Sequence, residues 1–251
     1  MNPFKSMIKK LLFKAGYKLR TISSRSPQCL RQSLEESYAL MRDLGLKPAT
    51  IIDVGVASGT PELYKTFPDS YFLLIEPLEC FEASMQDVLT RYNGEYVVAA
   101  AGDAPGLQVF NVHDDHLDGS SFYKETMGDT ADGHEREVRV IRIDDIVSDK
   151  GLKPPFLIKV DVQGAELAAL EGASKTMIDA EVVVLEISLF EFMKGAPVLH
   201  DVIRFMKDRG FVAWDIILGW NRPLDNALGQ IDIVFVGEES EFRADHSYAK
   251  D

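Results

Sequence analysis

Basic residues are scarce in this chain: 27 Lys and Arg stand against 40 Asp and Glu, a formal net charge of −13. A phosphate backbone needs a basic face, so nucleic acid is excluded as the main partner. Cysteine is scarcer still. Cys29 and Cys80 are far apart and outside any Cys-x-x-Cys or His-rich setting. That rules out a disulfide framework and a structural zinc site, and suits a reducing, cytoplasmic compartment. No run approaches the ~18 uninterrupted apolar residues of a membrane-spanning helix. Internal repeats and low-complexity tracts are also lacking.

What is present is 251 residues, 46% of them hydrophobic, enough for one α/β domain and an appendage. The few basic residues are concentrated. Eight lie in residues 1–34, which hold no Asp or Glu, leaving 19 against all 40 acids in the remainder. In that segment Phe4, Met7, Ile8, Leu11, Leu12, Ala15 and Leu19 recur at helical spacing, with Lys5, Lys9, Lys10, Lys14 and Lys18 mostly around the rest. Lysines interrupt the apolar run that a signal peptide requires. Residues 1–33 read as a basic amphipathic helical extension. It packs on the domain or a second subunit in one reading, and rests peripherally on anionic lipid in the other. Residues 34–237 form the domain and 238–251 a polar tail.

Within the domain, apolar strands alternate with helices. Strands are expected at Thr50–Val54, Tyr71–Ile75, Glu95–Ala101, Gln108–Val112, Val138–Ile143, Phe156–Val160, Val182–Ile187, Phe211–Leu218 and Ile231–Val236. Helices are expected near 34–45, 61–67, 78–92, 164–179 and 197–209, with a helical turn at Asp144–Ser148. Residues 113–136 read as an irregular loop. Continuously apolar strands separated by helices indicate a mainly parallel sheet covered on both faces, whose ligand sits beyond the carboxyl ends of the strands.

Chemistry-bearing residues follow those strands. Asp53 ends the first, and Gly55 and Gly59 occupy the turn after it. Glu76 follows the second strand, 23 residues beyond Asp53, close to the ~20 expected for a carboxylate that holds ribose hydroxyls. A dinucleotide site wants Gly-x-Gly-x-x-Gly, so that pyrophosphate can rest on a helix N-terminus. Here Ala57 replaces the middle glycine and an acid precedes the turn. This favours a cofactor with a cationic amino-acid end and no phosphates, S-adenosyl-L-methionine, over NAD.

The ordered motifs resemble the FkbM family of methyltransferases. They are Asp53-Val54-Gly55 with Gly59, Ile75-Glu76-Pro77, Ala100-Ala101-Gly102-Asp103, Gly119-Ser120-Ser121, Val138-x-Val140 leading to Ile143-Asp144, Ile158-Lys159-Val160-Asp161-Val162-Gln163-Gly164-Ala165-Glu166, and Leu170-Glu171-Gly172-Ala173. The likeness runs over about residues 48–190. It implies a Rossmann-like class I fold, with a seven-stranded, mainly parallel sheet whose last strand is antiparallel, and methyl transfer from S-adenosylmethionine, generally to oxygen. The family usually has Glu where this chain has Gln163, commonly Asn at Ala57, and frequently Thr where Arg142 stands.

Roles follow. Gly55 and Gly59 lie against the methionine part of the cofactor, Asp53 accepts from its ammonium or orients the glycine loop, and Glu76 takes both ribose hydroxyls. Asp103 serves the adenine amine or only its own turn. Asp161 is the first candidate for the base or for holding the acceptor. Glu166 is the second, with helix capping as its structural alternative. Glu186 is a further acid on the same rim. His113, His116, Ser120, Ser121 and Gln163 are candidates for the acceptor, a small-molecule hydroxyl such as that of a sugar. The His113–Asp118 segment reads as a solvated surface or substrate lid rather than a metal site. Trp214 and Trp220 read as core and rim aromatics rather than a sugar platform. The rival readings are an NAD-dependent dehydrogenase or epimerase, and a non-catalytic cofactor-binding scaffold, which Gln163 keeps open.

Overall fold

The computed structural model describes residues 30–128 and 131–248. The expected N-terminal helix therefore lies outside the described residues, as does Cys29. Among the described residues no helix is long and apolar enough to cross a membrane.

The chain runs α1 (Leu34–Asp43), β1 (Thr50–Val54), α2 (Pro61–Thr66), β2 (Tyr71–Glu76), α3 (Glu82–Leu89), β3 (Gly94–Val98), β4 (Ala100–Ala101), β5 (Gly106–Val112), β6 (His134–Ile141), α4 (Ile143–Lys150), β7 (Phe156–Val160), α5 (Glu166–Glu171), β8 (Ala180–Ser188), α6 (Leu199–Asp208), β9 (Phe211–Leu218) and β10 (Gln230–Gly237). Seven strands form one sheet in the order β3-β2-β1-β7-β8-β10-β9. All pairings are parallel except those of β10, which runs antiparallel to both β8 and β9. Strand order reverses between β1 and β7, so their carboxyl ends frame the crevice where such sheets bind ligands.

Local chemistry explains the elements. β1 and β7 are buried along their whole length, which their unbroken apolar runs require. α1 starts where the Ser33 hydroxyl accepts from Glu36 N–H, and Glu35 and Glu36 sit at its positive end. α4 ends at Gly151, in the left-handed conformation with φ 60°. Two apolar layers flank the sheet. Tyr38, Tyr64 and Met85 of α1–α3 pack with Ile51, Leu157, Val184 and Val234 on one face. Ile143, Leu170, Val202 and Met206 of α4–α6 pack with Ile52, Ile158 and Val183 on the other.

Three sequence expectations change. The strand foreseen at 95–101 divides: β3 joins the main sheet, whereas β4 pairs with β6 in a separate three-stranded sheet, β4-β6-β5. A continuous apolar run carries no periodic sign of such a break. The helix foreseen at 164–179 stops at Glu171, because Asp144 takes the N–H groups of Lys175 and Thr176 at 2.8–3.2 Å. The loop 113–136 connects β5 to β6, and β6 itself begins at His134. Its first part is fastened to β5: Asn111 and Ser121 exchange backbone hydrogen bonds, and Asn111 Nδ2 donates to the Tyr123 carbonyl at 3.1 Å.

Candidate active site

The odd positions of β1 and β7 and the even positions of β8 and β10 face α1–α3. Continuing that alternation to the strand ends puts Asp53, Lys159, Asp161, Glu186 and Asp232 on one face. Asp53 pairs in register with Lys159, and Asp232 with Glu186. The acids of four neighbouring strands thus share one face with a buried lysine.

Lys159 Nζ lies 3.2 Å from Asp161 Oδ2 and 3.7 Å from Asp53 Oδ1. Burial disfavours its charge, but Asp161 and Asp53 more than offset this and hold its pKa above the ordinary ammonium range. Asp53 is completely buried, and its Oδ2 accepts from the Tyr64 hydroxyl at 2.6 Å. It is not among the residues that line the cavity described below. Its carboxylate is turned to Tyr64 and Lys159, and not to the open space where a direct ligand partner would lie.

A cavity of about 570 Å³ opens above the ends of β1, β2 and β7, within the range usual for ligand sites. Gly55 and Gly59 form its floor with Val56, Ala57 and Ser58. Gly55 has φ 77°, and a Cβ there would stand 1.8 Å from the Asp161 carbonyl oxygen. Only glycine lets the turn pass the end of β7 so closely. Ala57 adopts φ 43°, a left-handed conformation in which Asn is less strained. That is a physical reason for the Asn common at this place in the resembling family.

Glu76 lies at the rim, 5% exposed. Its Oε2 accepts from Ala57 N–H and its Oε1 from Leu78 N–H, each at 3.0 Å. The carboxylate is thus aimed by two backbone amides, and each oxygen keeps a lone pair for a further donor. Burial raises its pKa, and the two amides work against the rise. Leu78, Phe81, Ala99, Ala100, Phe110 and Phe122 supply an apolar wall beside it.

Asp161 is the more open carboxylate at the far end, its side chain 31% exposed. Gln163, at φ 52°, donates from one Nε2 to Asp161 Oδ1 at 3.2 Å and to Glu186 Oε2 at 2.7 Å. Burial, followed by the charge of Asp161, pushes Glu186 well above the usual carboxyl range. Glu186 Oε2 also accepts from Gln230 Nε2 at 2.9 Å. Asp232 is raised to about 6 by burial and then by Asp161.

The remaining expected residues divide. Glu166 Oε1 accepts from Gly164 N–H at 2.9 Å and Val162 N–H at 3.3 Å, fastening the turn that carries Gln163, and burial raises its pKa to about 7. Ser121 is fully buried and donates to the Gln163 carbonyl at 2.6 Å. Ser120 and His116 line the cavity, and the Ser120 hydroxyl accepts from His113 N–H at 3.1 Å. Asp103 is exposed and is not among the lining residues, so the structure does not bring it to the cavity. Among the described residues no group of three or more His, Cys, Asp or Glu is placed to hold a metal ion.

Sequence reasoning missed Tyr64, Gln230 and Asp232, and gave Lys159 no role. The signal was available for two of them. A charge inside the apolar strands Phe156–Val160 and Ile231–Val236 has to be paired when buried.

The description "Methyltransferase FkbM domain" matches residues 53–213, more than half of the chain. No curated protein matches. Among solved structures, the precorrin-6y C5,15-methyltransferase of Geobacter metallireducens is 11% identical at a TM-score of 0.44, over 84% of this chain and 93% of that one. The magnesium protoporphyrin IX methyltransferase of Synechocystis, with bound SAM, is 10% identical at 0.45, over 81% and 78%. The fibrillarin of Aeropyrum pernix, with natively bound S-adenosyl-L-methionine, is 14% identical at 0.44, over 80% and 73%. On the family match, which includes the glycine turn, Glu76, Asp161 and Glu186, this chain belongs to the FkbM methyltransferase domain family.

Proposed function

We propose that the protein transfers a methyl group from S-adenosyl-L-methionine to a hydroxyl oxygen of a small molecule, a sugar or a secondary metabolite. One observation carries the reading: Glu76, aimed by the amides of Ala57 and Leu78, shares an acid-lined cavity with Asp161. The donor set fits this cofactor. Glu62, Glu76, Asp118, Asp161, Glu186 and Asp232 line the cavity, and apart from His116 the only basic lining residue among the described residues is Lys159, already engaged with Asp53 and Asp161. A sulfonium and an ammonium are at home in that field, whereas a pyrophosphate is repelled by it.

Glu76 would accept the two ribose hydroxyls, the Gly55–Gly59 turn would hold the amino-acid arm, and the wall of Leu78, Phe81 and Phe110 would cover the purine. Bound there, S-adenosylmethionine would supply an electrophilic methyl group to the acceptor oxygen, the bonding pair of the C–S bond remaining on sulfur. The chain's own tasks are to orient the acceptor hydroxyl and take its proton. Asp161 is assigned as that base, because it is the more open member of the pair it forms with Glu186. Glu166, committed to two backbone amides, is assigned to positioning the turn. Lys159 and Asp53 act one step away, by fixing the side chain of Asp161 and the start of the turn.

The test is a methyl-transfer screen with isotopically labelled cofactor over sugars, glycosides and hydroxylated metabolites, read by mass spectrometry. Label on a hydroxyl oxygen supports the reading. Label on nitrogen or carbon, or no cofactor binding, overturns it.

A further inference from the structure

A second recess of about 290 Å³ lies beside the main cavity. Gln163, Glu186, Trp220 and Gln230 line both, so the two spaces meet at the carboxyl cluster. Its outer wall is aromatic. Phe192 and Trp220 stack with centroids 5.4 Å apart and planes 27° from parallel, and Phe190 follows at 5.9 Å from Phe192.

The indole is held in place. Its Nε1 donates to Gln230 Oε1, and Gln230 in turn donates to Glu186. Gly229 permits the close fit: a Cβ there would stand 2.7 Å from Trp220 Cζ3. Trp220 nevertheless keeps 45% of its surface exposed. An indole fixed in orientation, with nearly half its surface uncovered, is a preorganised stacking face. The opposite side of the recess is polar. His113, 8% exposed, lines it with a buried Nε2 that has no hydrogen-bond partner, the Glu125 carboxylate lying 3.9 Å away.

Charge narrows the ligand. Glu125, Glu166 and Glu186 line the recess, while Arg222, its only Arg or Lys among the described residues, is tied to Asp225 by bonds of 2.8 and 2.6 Å. An anionic group would meet the Glu125 carboxylate and two buried carboxyls whose surroundings already disfavour negative charge, with no Arg or Lys among the described lining residues left to neutralise it.

Resting on the methyl-transfer reading above, we propose that this recess is the acceptor site, and that it takes a neutral pyranose ring lying on Trp220 with its hydroxyls towards His113 and Asp161. The C–H face of a pyranose supplies the apolar surface that stacks on indole, and its hydroxyl edge supplies donors and acceptors for the polar side of the recess, where His113 and Gln163 lie. Phosphorylated and carboxylated sugars are excluded by charge. The role departs from the rim-aromatic reading of Trp220 that the sequence suggests.

The test measures methyl transfer to methyl glucopyranoside, galactopyranoside, mannopyranoside and rhamnopyranoside, to glucose 6-phosphate and glucuronic acid, and to catechol. Cofactor affinity is followed by calorimetry throughout. At least one neutral pyranoside is expected to be methylated, with kcat/KM about tenfold or more above the anionic sugars. Phe192→Ala, which touches the recess alone, is expected to raise KM for that pyranoside by about tenfold while cofactor affinity stays within about twofold, and Trp220→Phe is expected to retain more affinity than Trp220→Ala. Preference for an anionic sugar or catechol, no neutral pyranoside bound or methylated, or an unchanged KM in Phe192→Ala and Trp220→Ala overturns the proposal while cofactor binding stands. Absence of cofactor binding would instead remove the reading on which it rests, and the proposal with it.

Discussion

Gln163 joins Asp161 and Glu186 through a single amide nitrogen, 3.2 Å from one carboxylate and 2.7 Å from the other. Two acids this close repel when both are charged, and the amide offsets that repulsion by donating to both. Replacing it by glutamate, the residue usual in the family, puts a third carboxyl between them. Gln163→Glu is therefore expected to move the acid limb of the pH–rate profile upward, and Gln163→Ala to lower kcat with a smaller displacement. A profile unchanged in Gln163→Glu would show that this amide does not govern the pair.

Asp161→Asn keeps the shape of the side chain and removes the capacity to take a proton. General-base assistance contributes about 10²–10⁴-fold, so kcat is expected to fall by at least about 10²-fold. Cofactor affinity should change far less. Activity within a few-fold of the parent protein would assign the proton to another group.

Lys159 joins the buried carboxylate of Asp53 to the partly exposed carboxylate of Asp161. Lys159→Met leaves Asp53 buried without its cation, and removing one partner of a buried ion pair costs about 3–5 kcal/mol. Thermal unfolding should show that loss, and Asp53→Asn added to Lys159→Met should recover part of it. A single variant as stable as the parent would mean that the lysine does not hold the cluster.

The carboxyls of Asp232 and Glu166 are raised by burial to about 6 and about 7. The folded chain binds these protons more tightly than the unfolded one, so their contribution is complete below about pH 4. It is lost as pH rises through 6 and 7. Tm of the protein without cofactor is expected to decline between pH 5 and pH 8, and Asp232→Asn to flatten part of the decline. A Tm that rises over this window, or an unaltered slope in the variant, would contradict the assignment.

Much of this was legible in the sequence, for identifiable reasons. β1, β2, β7 and β8 are apolar runs of strand length with an acid near or just past the carboxyl end, so these strands and the places of Asp53, Glu76, Asp161 and Glu186 could be read directly, although β8 begins at Ala180, two residues before the expected start. The antiparallel pairing of β9 with β10 was legible as two apolar strands closing the domain, and the family resemblance pointed to the same reversal. What could not be read depends on contacts between distant segments. Nothing near residues 98–100 marks the break between β3 and β4, which is set by pairing with β6 some 40 residues later. The termination of α5 depends on Asp144, nearly 30 residues earlier. Asp53 was recognised as important, but its direction was not, because Tyr64 and Lys159 come to it from two other elements. Asp103 shares a motif with the site yet lies exposed on a turn, where its residue type suits the bend itself.

The central claim concerns Glu76 and the charge of the cavity around it, and calorimetric titration with S-adenosylmethionine and with NAD tests it most directly. The account predicts that the parent protein binds the first and not the second. It also predicts that Glu76→Ala, losing two charge-assisted hydrogen bonds, weakens binding on the order of 100-fold while the protein stays folded. Binding of NAD in preference, or a Glu76→Ala variant that binds S-adenosylmethionine as tightly as the parent, would contradict it.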